Sequence, residues 1–288
     1  MLSQALDSGR RIRRHIMTSF LFTKSDVLTV LIPITLSTFA TAPHPDVTRV
    51  PDIIIWIWLH LLKHDIYNQM LDPEEDRKNK PHRPIPSGRI NVQNAADVRW
   101  LLVPVCLIFS AMYGIKVLAC SACLEALSIW YNEFGGDRTW LSKNLLTAIA
   151  YTILELGTTI VLGSSMDNIL ARAAAFNFVM FATTIHAQDF KDEEGDLLAG
   201  RRTLVTLFPT FARMSMTIGI PLWSLCLSRL WEVDIFCSLA FMAYGTIVGA
   251  RFMVYRTASA HKQSCKLYSL WFALVHILPG YWRFFYST

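Results

Sequence analysis

The sequence predicts an all-α membrane protein of nine transmembrane helices, and three observations carry that expectation. The chain has 288 residues, 53% hydrophobic and only 17% charged, where a soluble domain carries roughly a quarter charged residues. Its mean hydropathy is positive, +0.35, and apolar stretches recur along nearly its whole length, which points to many spans and not one anchor. The third observation is the placement of its 27 lysines and arginines.

Spans are expected near 26–42, 51–71, 97–113, 115–132, 144–162, 168–187, 209–228, 235–252 and 267–285. Residues 1–24 precede them as a polar, basic segment with no cleavable signal, carrying Arg10, Arg11, Arg13, Arg14 and Lys24. Residues 25–288 form the single membrane domain. With nine spans, the N-terminus and the loops 72–96, 133–143, 188–208 and 251–266 share one side. That side collects 21 cations, the other keeps five, and Lys63 lies inside a span. Cytosolic loops carry such an excess, so the N-terminus and these loops are expected in the cytosol. The host is expected to be an intracellular membrane, the endoplasmic reticulum. Cys120-x-x-Cys123 lies in an apolar stretch with no second pair or histidine at ligand spacing, and reads as reduced packing residues. Nothing suggests a nucleic-acid partner; the lipid bilayer is the expected surroundings.

Two acidic segments fall on the cytosolic side, each just after a span. The first, "NQMLDPEEDRKNKPHRPIPSGR" (68–89), offers Asn68, Asp72 and Asp76 at i, i+4 and i+8. The second, "HAQDFKDEEGDLLAGRRTL" (186–204), offers Asp189, Asp192 and Asp196. On an α-helix the second triad stays within about 60° and the first within about 80°. Carboxylates grouped this way repel one another unless they share a cation, and hard, oxygen-seeking Mg²⁺ suits them. Lys78, Lys80 and Arg83 follow the first group, and Arg201 and Arg202 the second. Acids with adjacent cations suggest a metal-bridged polyphosphate whose remaining charge meets Lys and Arg. Asp72-Pro73-Glu74-Glu75 also fits a helix start, with Asp as N-cap and Pro at the first position. Asp72 therefore has two readings, metal ligand or cap.

Asn68-x-x-x-Asp72-x-x-x-Asp76 with Asn79-Lys80-Pro81-His82-Arg83-Pro84, and Asp192-x-x-x-Asp196 with Gly200-Arg201-Arg202-Thr203, resemble the two signatures of the UbiA superfamily of intramembrane prenyltransferases. "LFTKSDVLTVLIP" (21–33), "TTIHAQDFKDEEGD" (183–196) and "YNEFGGD" (131–137) are similar to a fungal branch that includes terpene cyclases. The resemblance implies nine helices around a central cavity open laterally to lipid, with Mg²⁺ held by the acidic motifs and gripping a prenyl diphosphate. It implies Asn68, Asp72 and Asp76 at one metal site and Asp192 with Asp196 at the other, Asp189 adding an acid. Asn68, Lys80, Arg83 and Arg201 would bind the diphosphate, and Lys143-Asn144 resembles a family pair near the same pocket.

Ionisation is expected to depend on Asp76 and Asp192. Tyr131 is a candidate to hydrogen-bond the diphosphate. His186, within a turn of Asp189, is a candidate for catalysis or for supporting that aspartate. His64, Asp65, Glu125, Glu155 and His186 are ionisable groups within spans, which rarely face lipid, and are candidates for a polar wall, an acceptor site or a terminal base, while Trp56, Trp58, Trp130, Tyr131, Phe176, Phe178 and Phe181 are candidate cavity aromatics. The expected activity is cyclisation of a prenyl diphosphate, farnesyl diphosphate foremost, to a sesquiterpene. The alternative is transfer of the prenyl group to an aromatic or other small acceptor. A cation transporter would explain the carboxylates but not the lysines and arginines beside them.

Overall fold

The structure, a computed structural model, describes residues 2–71, 73–198 and 200–286. Among them every regular element is helical. The chain runs α1 (Leu2–Thr23), a π-turn (Val27–Leu31) leading into α2 (Ile32–Thr41), α3 (Val50–Leu71), α4 (Pro73–Asn79), α5 (Val92–Ala111), α6 (Ile115–Glu133) and α7 (Trp140–Val161). It continues through α8 (Asn168–Thr184), a 3₁₀ segment (Ile185–Lys191), α9 (Glu193–Leu198), α10 (Leu204–Leu207), α11 (Pro209–Leu230), α12 (Ile235–Val254) and α13 (Ala258–Tyr286).

Each of the nine expected spans coincides with a helix to within a few residues at most ends, though α13 begins nine residues earlier than expected. Among the described residues, four segments are able to cross a membrane by length and apolarity alone: Val92–Ala111, Trp140–Val161, Asn168–Lys191 and Ile235–Val254. A fifth is added if Ser8–Thr23 and Val27–Thr41, bent by 64°, count as one. α3 and α6 fall outside this group, and they carry Lys63 and Glu125, which form an ion pair between the two helices. Polar groups used inside the bundle thus lower the apolar signal of the helices that carry them. Residues 1–24, expected as a polar segment, are largely the helix α1, which packs on α3.

Neighbouring helices pack in sequence, α3 on α5, α5 on α6, and onward through α7, α8, α11 and α12 to α13, which returns to α2. α2 also packs on α7, closing the arrangement around an interior cavity. Close approach is local: a Cβ on Gly249 of α12 would lie 2.8 Å from the Met216 carbonyl oxygen of α11. Between helices, side-chain hydrogen bonds such as Thr38 to Thr158 (2.7 Å) and Trp271 to Ser224 (2.9 Å) satisfy polar groups that hydrocarbon would leave bare. Large apolar side chains such as Ile108, Leu222 and Phe236 point outward and exposed.

The two acidic segments depart from simple helices. α3 ends at Leu71 and α4 opens with Pro73, as a proline lacking an N–H requires of a helix start. Asp72, with its two readings, lies outside the described residues. The expectation that Asp189, Asp192 and Asp196 share one continuous helical face is corrected. Asp189 sits in the 3₁₀ segment, Asp192 at the break after it, and Asp196 in α9. Tightening into 3₁₀ is common where an α-helix ends, and the acids Glu193, Glu194 and Asp196 suit the first turn of a new helix.

Candidate functional site

Two adjoining spaces lie within and at the end of the bundle. An inner chamber of about 320 Å³ lies among α3, α6, α7, α8 and α13. An outer vestibule of about 1230 Å³ lies next to it. Lys80, Arg83, Gln188, Lys191 and Asp192 border both and mark the mouth of the chamber.

Local folding brings the acidic segments together there. The Lys80 amide donates to the Asp76 carbonyl (2.7 Å) and the Arg83 amide to the Lys80 carbonyl (3.0 Å), curling the chain after α4. This turns Arg83 back onto Asp76, whose two carboxylate oxygens each accept from it at 2.8 Å. It also carries Lys80 across to Asp192 of the second segment, at 3.1 Å. In the second segment the Asp192 amide donates to the Asp189 carbonyl (3.1 Å) and the Arg201 amide to the Asp196 carbonyl (2.8 Å). Lys143, in the first turn of α7, pairs with Asp189 at 2.6 Å, and Arg201 with Asp196 at 3.4 Å.

Burial pushes the Asp192 carboxyl up, but Lys80, Lys191 and Arg83 outweigh it, and the net shift is downward, toward a permanent anion. Burial also raises the Asp196 carboxyl; there Lys143 and Arg201 oppose it, Asp189 reinforces it, and the net shift is upward. The two motif aspartates thus differ in environment although the sequence presents them as equivalents.

Of the other expected residues, Asn68 and Tyr131 line the inner chamber. Tyr131 stands edge-on to His64, ring centres 5.6 Å apart. Asn144 is buried beside Lys143. His186 is buried and hydrogen-bonded to Ser215 of α11 at 2.9 Å, and is not among the residues lining the chamber. Of the aromatic candidates, Tyr131 and Phe181 face the chamber. Trp56 is buried with its N–H on Ser110, Trp58 donates to Thr23, Phe178 packs against the core, and Trp130 and Phe176 are exposed. Sequence reasoning missed Tyr151, Tyr268 and Phe272, which also line the chamber, Tyr151 and Phe272 packing against Phe181. Tyr268 and Phe272 stand four residues apart on α13, the spacing that aligns side chains on one face.

The donor set, carboxylates and an amide, is that of a hard divalent cation. Asp189 fits best, since one oxygen meets Lys143 while Oδ2 is buried without a hydrogen-bond partner. Among the described residues no three acidic, His or Cys side chains are already gathered as a metal site; lysines and arginines stand beside the carboxylates instead.

The profile of the UbiA prenyltransferase family matches residues 30–273. The chain is 31% identical over 245 residues to the fumagillin beta-trans-bergamotene synthase of Aspergillus fumigatus, covering 84% of each. It is 31% identical over 210 residues to the somaliensene A/B synthase of Streptomyces somaliensis, covering 69% of this chain and 68% of that one. Among solved structures, a UbiA homolog from Archaeoglobus fulgidus bound to DMAPP and Mg²⁺ shares the fold, with a TM-score of 0.67 at 16% identity over 90% of this chain and 99% of that one. The protein belongs to the UbiA prenyltransferase family, as an intramembrane enzyme that acts on prenyl groups, of the terpene synthase or prenyltransferase type.

Proposed function

We propose that this enzyme ionises farnesyl diphosphate with the help of Mg²⁺ and cyclises the farnesyl cation to a sesquiterpene hydrocarbon. The observation that carries the reading is the junction at the mouth, where Lys80 of one acidic segment meets Asp192 of the other above an aromatic-walled chamber. The similarity to two terpene synthases supports the cyclase branch. So does the chamber's volume of about 320 Å³, at the small end of ligand pockets, which suits one folded chain and intramolecular capture.

In this reading Asn68, Asp72, Asp76, Asp189, Asp192 and Asp196 hold Mg²⁺, which when bound neutralises charge growing on the leaving diphosphate. Lys80, Arg83, Lys143 and Arg201 bind the diphosphate oxygens, helped by Asn144 and by the Tyr131 hydroxyl. Charges fixed in place before the allylic C–O bond breaks are worth more than mobile ones. The prenyl tail lies in the chamber, where exclusion of water keeps the cation from being quenched. The faces of Tyr151, Phe181 and Phe272 stabilise it as it migrates. His186 supports Asp189 through the backbone of the 3₁₀ segment. The helices at the nine expected spans cross the bilayer, residues 25–288 act as one domain, and the mouth faces the cytosol of an intracellular membrane, an orientation that the 21 cations expected on that side support.

The test is to incubate membranes holding the protein with Mg²⁺ and farnesyl diphosphate, without acceptor, and to analyse a hexane extract by mass spectrometry. A cyclic C15 hydrocarbon is expected. Turnover only after an aromatic acceptor is added would place the enzyme in the transferase branch.

A further inference from the structure

We propose that Asp65 is the proton acceptor that ends the cyclisation; this rests on the cyclase reading above. Asp65 lies on α3 three residues before Asn68, about 4.5 Å deeper along the helix axis, and both line the inner chamber. It is 6% exposed, and its Oδ2 is buried with no hydrogen-bond partner. Other buried charges nearby are matched. Lys63 pairs with Glu125, and Glu155 meets His276 at 3.1 Å and Asn177 at 2.9 Å. The remaining carboxylates on the chamber wall sit at the mouth: Asp192 against Lys80, and Asp26 with Ser25 and Thr29. Asp65 alone among them makes no hydrogen bond or ion pair with the described residues.

Ionised, a buried carboxyl without a partner is costly, and it rests neutral, so Asp65 becomes a carboxylate only when its proton passes to the freed diphosphate and the chamber holds a balancing positive charge. A carbocation held against Tyr151, Phe181 and Phe272 supplies one. When cyclisation has placed the positive charge on a ring carbon, a neighbouring C–H bond breaks. Its electron pair becomes the C=C bond of the product, and its proton passes to the Asp65 carboxylate, leaving a neutral hydrocarbon and a neutral carboxyl. That neutral carboxyl is its resting state, and the proton it lent leaves with the diphosphate at the mouth, whose residues Lys80, Arg83 and Asp192 border both the chamber and the vestibule. His64, the neighbouring titratable group on the wall, is turned edge-on to Tyr131 and makes a less direct acceptor.

The experiment compares wild type, Asp65→Asn and Asp65→Glu, full length in lipid nanodiscs, reading diphosphate release and extracted products separately. In Asp65→Asn diphosphate release is expected to stay within about fivefold of wild type, while the native hydrocarbon forms about 10²-fold more slowly and is replaced by alcohols or by hydrocarbons quenched elsewhere. Asp65→Glu is expected to recover part of the native product. An unchanged product at an unchanged rate in Asp65→Asn overturns the proposal, as does loss of diphosphate release in a variant of wild-type thermal stability. Should Asp65→Asn fail to fold, Asp65→Glu decides: it moves the carboxyl by one methylene, so an unchanged product distribution at an unchanged rate overturns the role. Wild type that releases diphosphate but yields no hydrocarbon without an acceptor overturns the cyclase reading, and this inference with it.

Discussion

Around the mouth of the chamber, which Asp192 alone of them borders, each described aspartate of the two acidic segments stands beside a cation: Asp76 with Arg83, Asp189 with Lys143, Asp192 with Lys80 and Asp196 with Arg201. On the inner walls the pattern is different. Aromatic rings face the space from α7, α8 and α13, charges are few, and Asp65 stands without a partner. The two regions suit two phases of one reaction. A mouth rich in both signs can exchange internal ion pairs for contacts to a diphosphate and its cations, so little charge is stranded before the substrate arrives. The walls hold a positive charge that exists only briefly and moves, which polarisable faces accommodate along its path while Asp65 stands ready at its end.

That contrast can be broken at several points. The largest effect belongs to the mouth. Chelating the divalent cation is expected to abolish diphosphate release, and Asp192→Asn to slow it by about 10²–10³-fold, assayed as released diphosphate. Asp192→Asn at the wild-type rate would remove the mouth from the chemistry. Next comes the buried cluster below the aromatic wall. Glu155→Ala strands His276 and Asn177 and is expected to cost about 3–5 kcal/mol of stability, read as a lower thermal midpoint in detergent, whereas Asp76→Asn leaves that midpoint nearly unchanged. Arg83→Lys keeps the charge but loses the paired contact to Asp76, and about 10-fold weaker substrate use is expected in kcat/KM.

Phe272→Leu acts on the wall. Diphosphate release should fall only slightly, while the product ratio shifts by about 2- to 30-fold, the worth of one cation–π contact; a large drop in release with products unchanged would contradict the division of labour. Arg77→Ala is the smallest. Its pair with Glu74 is 60% and 75% exposed, and such pairs are worth less than about 1 kcal/mol, so neither rate nor stability should move measurably.

Much of this architecture is legible in the residues. Apolar runs placed α2, α3, α5 to α8 and α11 to α13, because each run must be buried or face lipid whatever its partners, while the polar α1 gave no such signal. The acidic segments stood out because carboxylates beside lysines and arginines at the edge of a hydrocarbon run are costly without a use. Three features were not legible. A helical wheel assumes one continuous helix, and the second segment changes from 3₁₀ to α within it, so the shared face of its aspartates did not follow. Facing was also hidden: a helix apolar all round gives no amphipathic stripe, so Trp130 and Phe176 could not be told from Tyr151 and Phe272. Pairings across the fold, such as Lys80 with Asp192, depend on how the chain curls after α4, which spacing does not encode. Lys63 with Glu125, and Glu155 with His276, ionisable groups in separate spans, are long-range pairs that their cost in hydrocarbon would have pointed to.

The central claim is that both acidic segments grip a single diphosphate as one unit. The most direct measurement is diphosphate release from farnesyl diphosphate by Asp76→Asn, Asp192→Asn and the double variant. Each single variant should lose about 10²-fold or more, and the double should be no worse than the poorer single, as for residues that act together. Losses that multiply, or a single variant that keeps the wild-type rate, would mean the two segments serve separate ends.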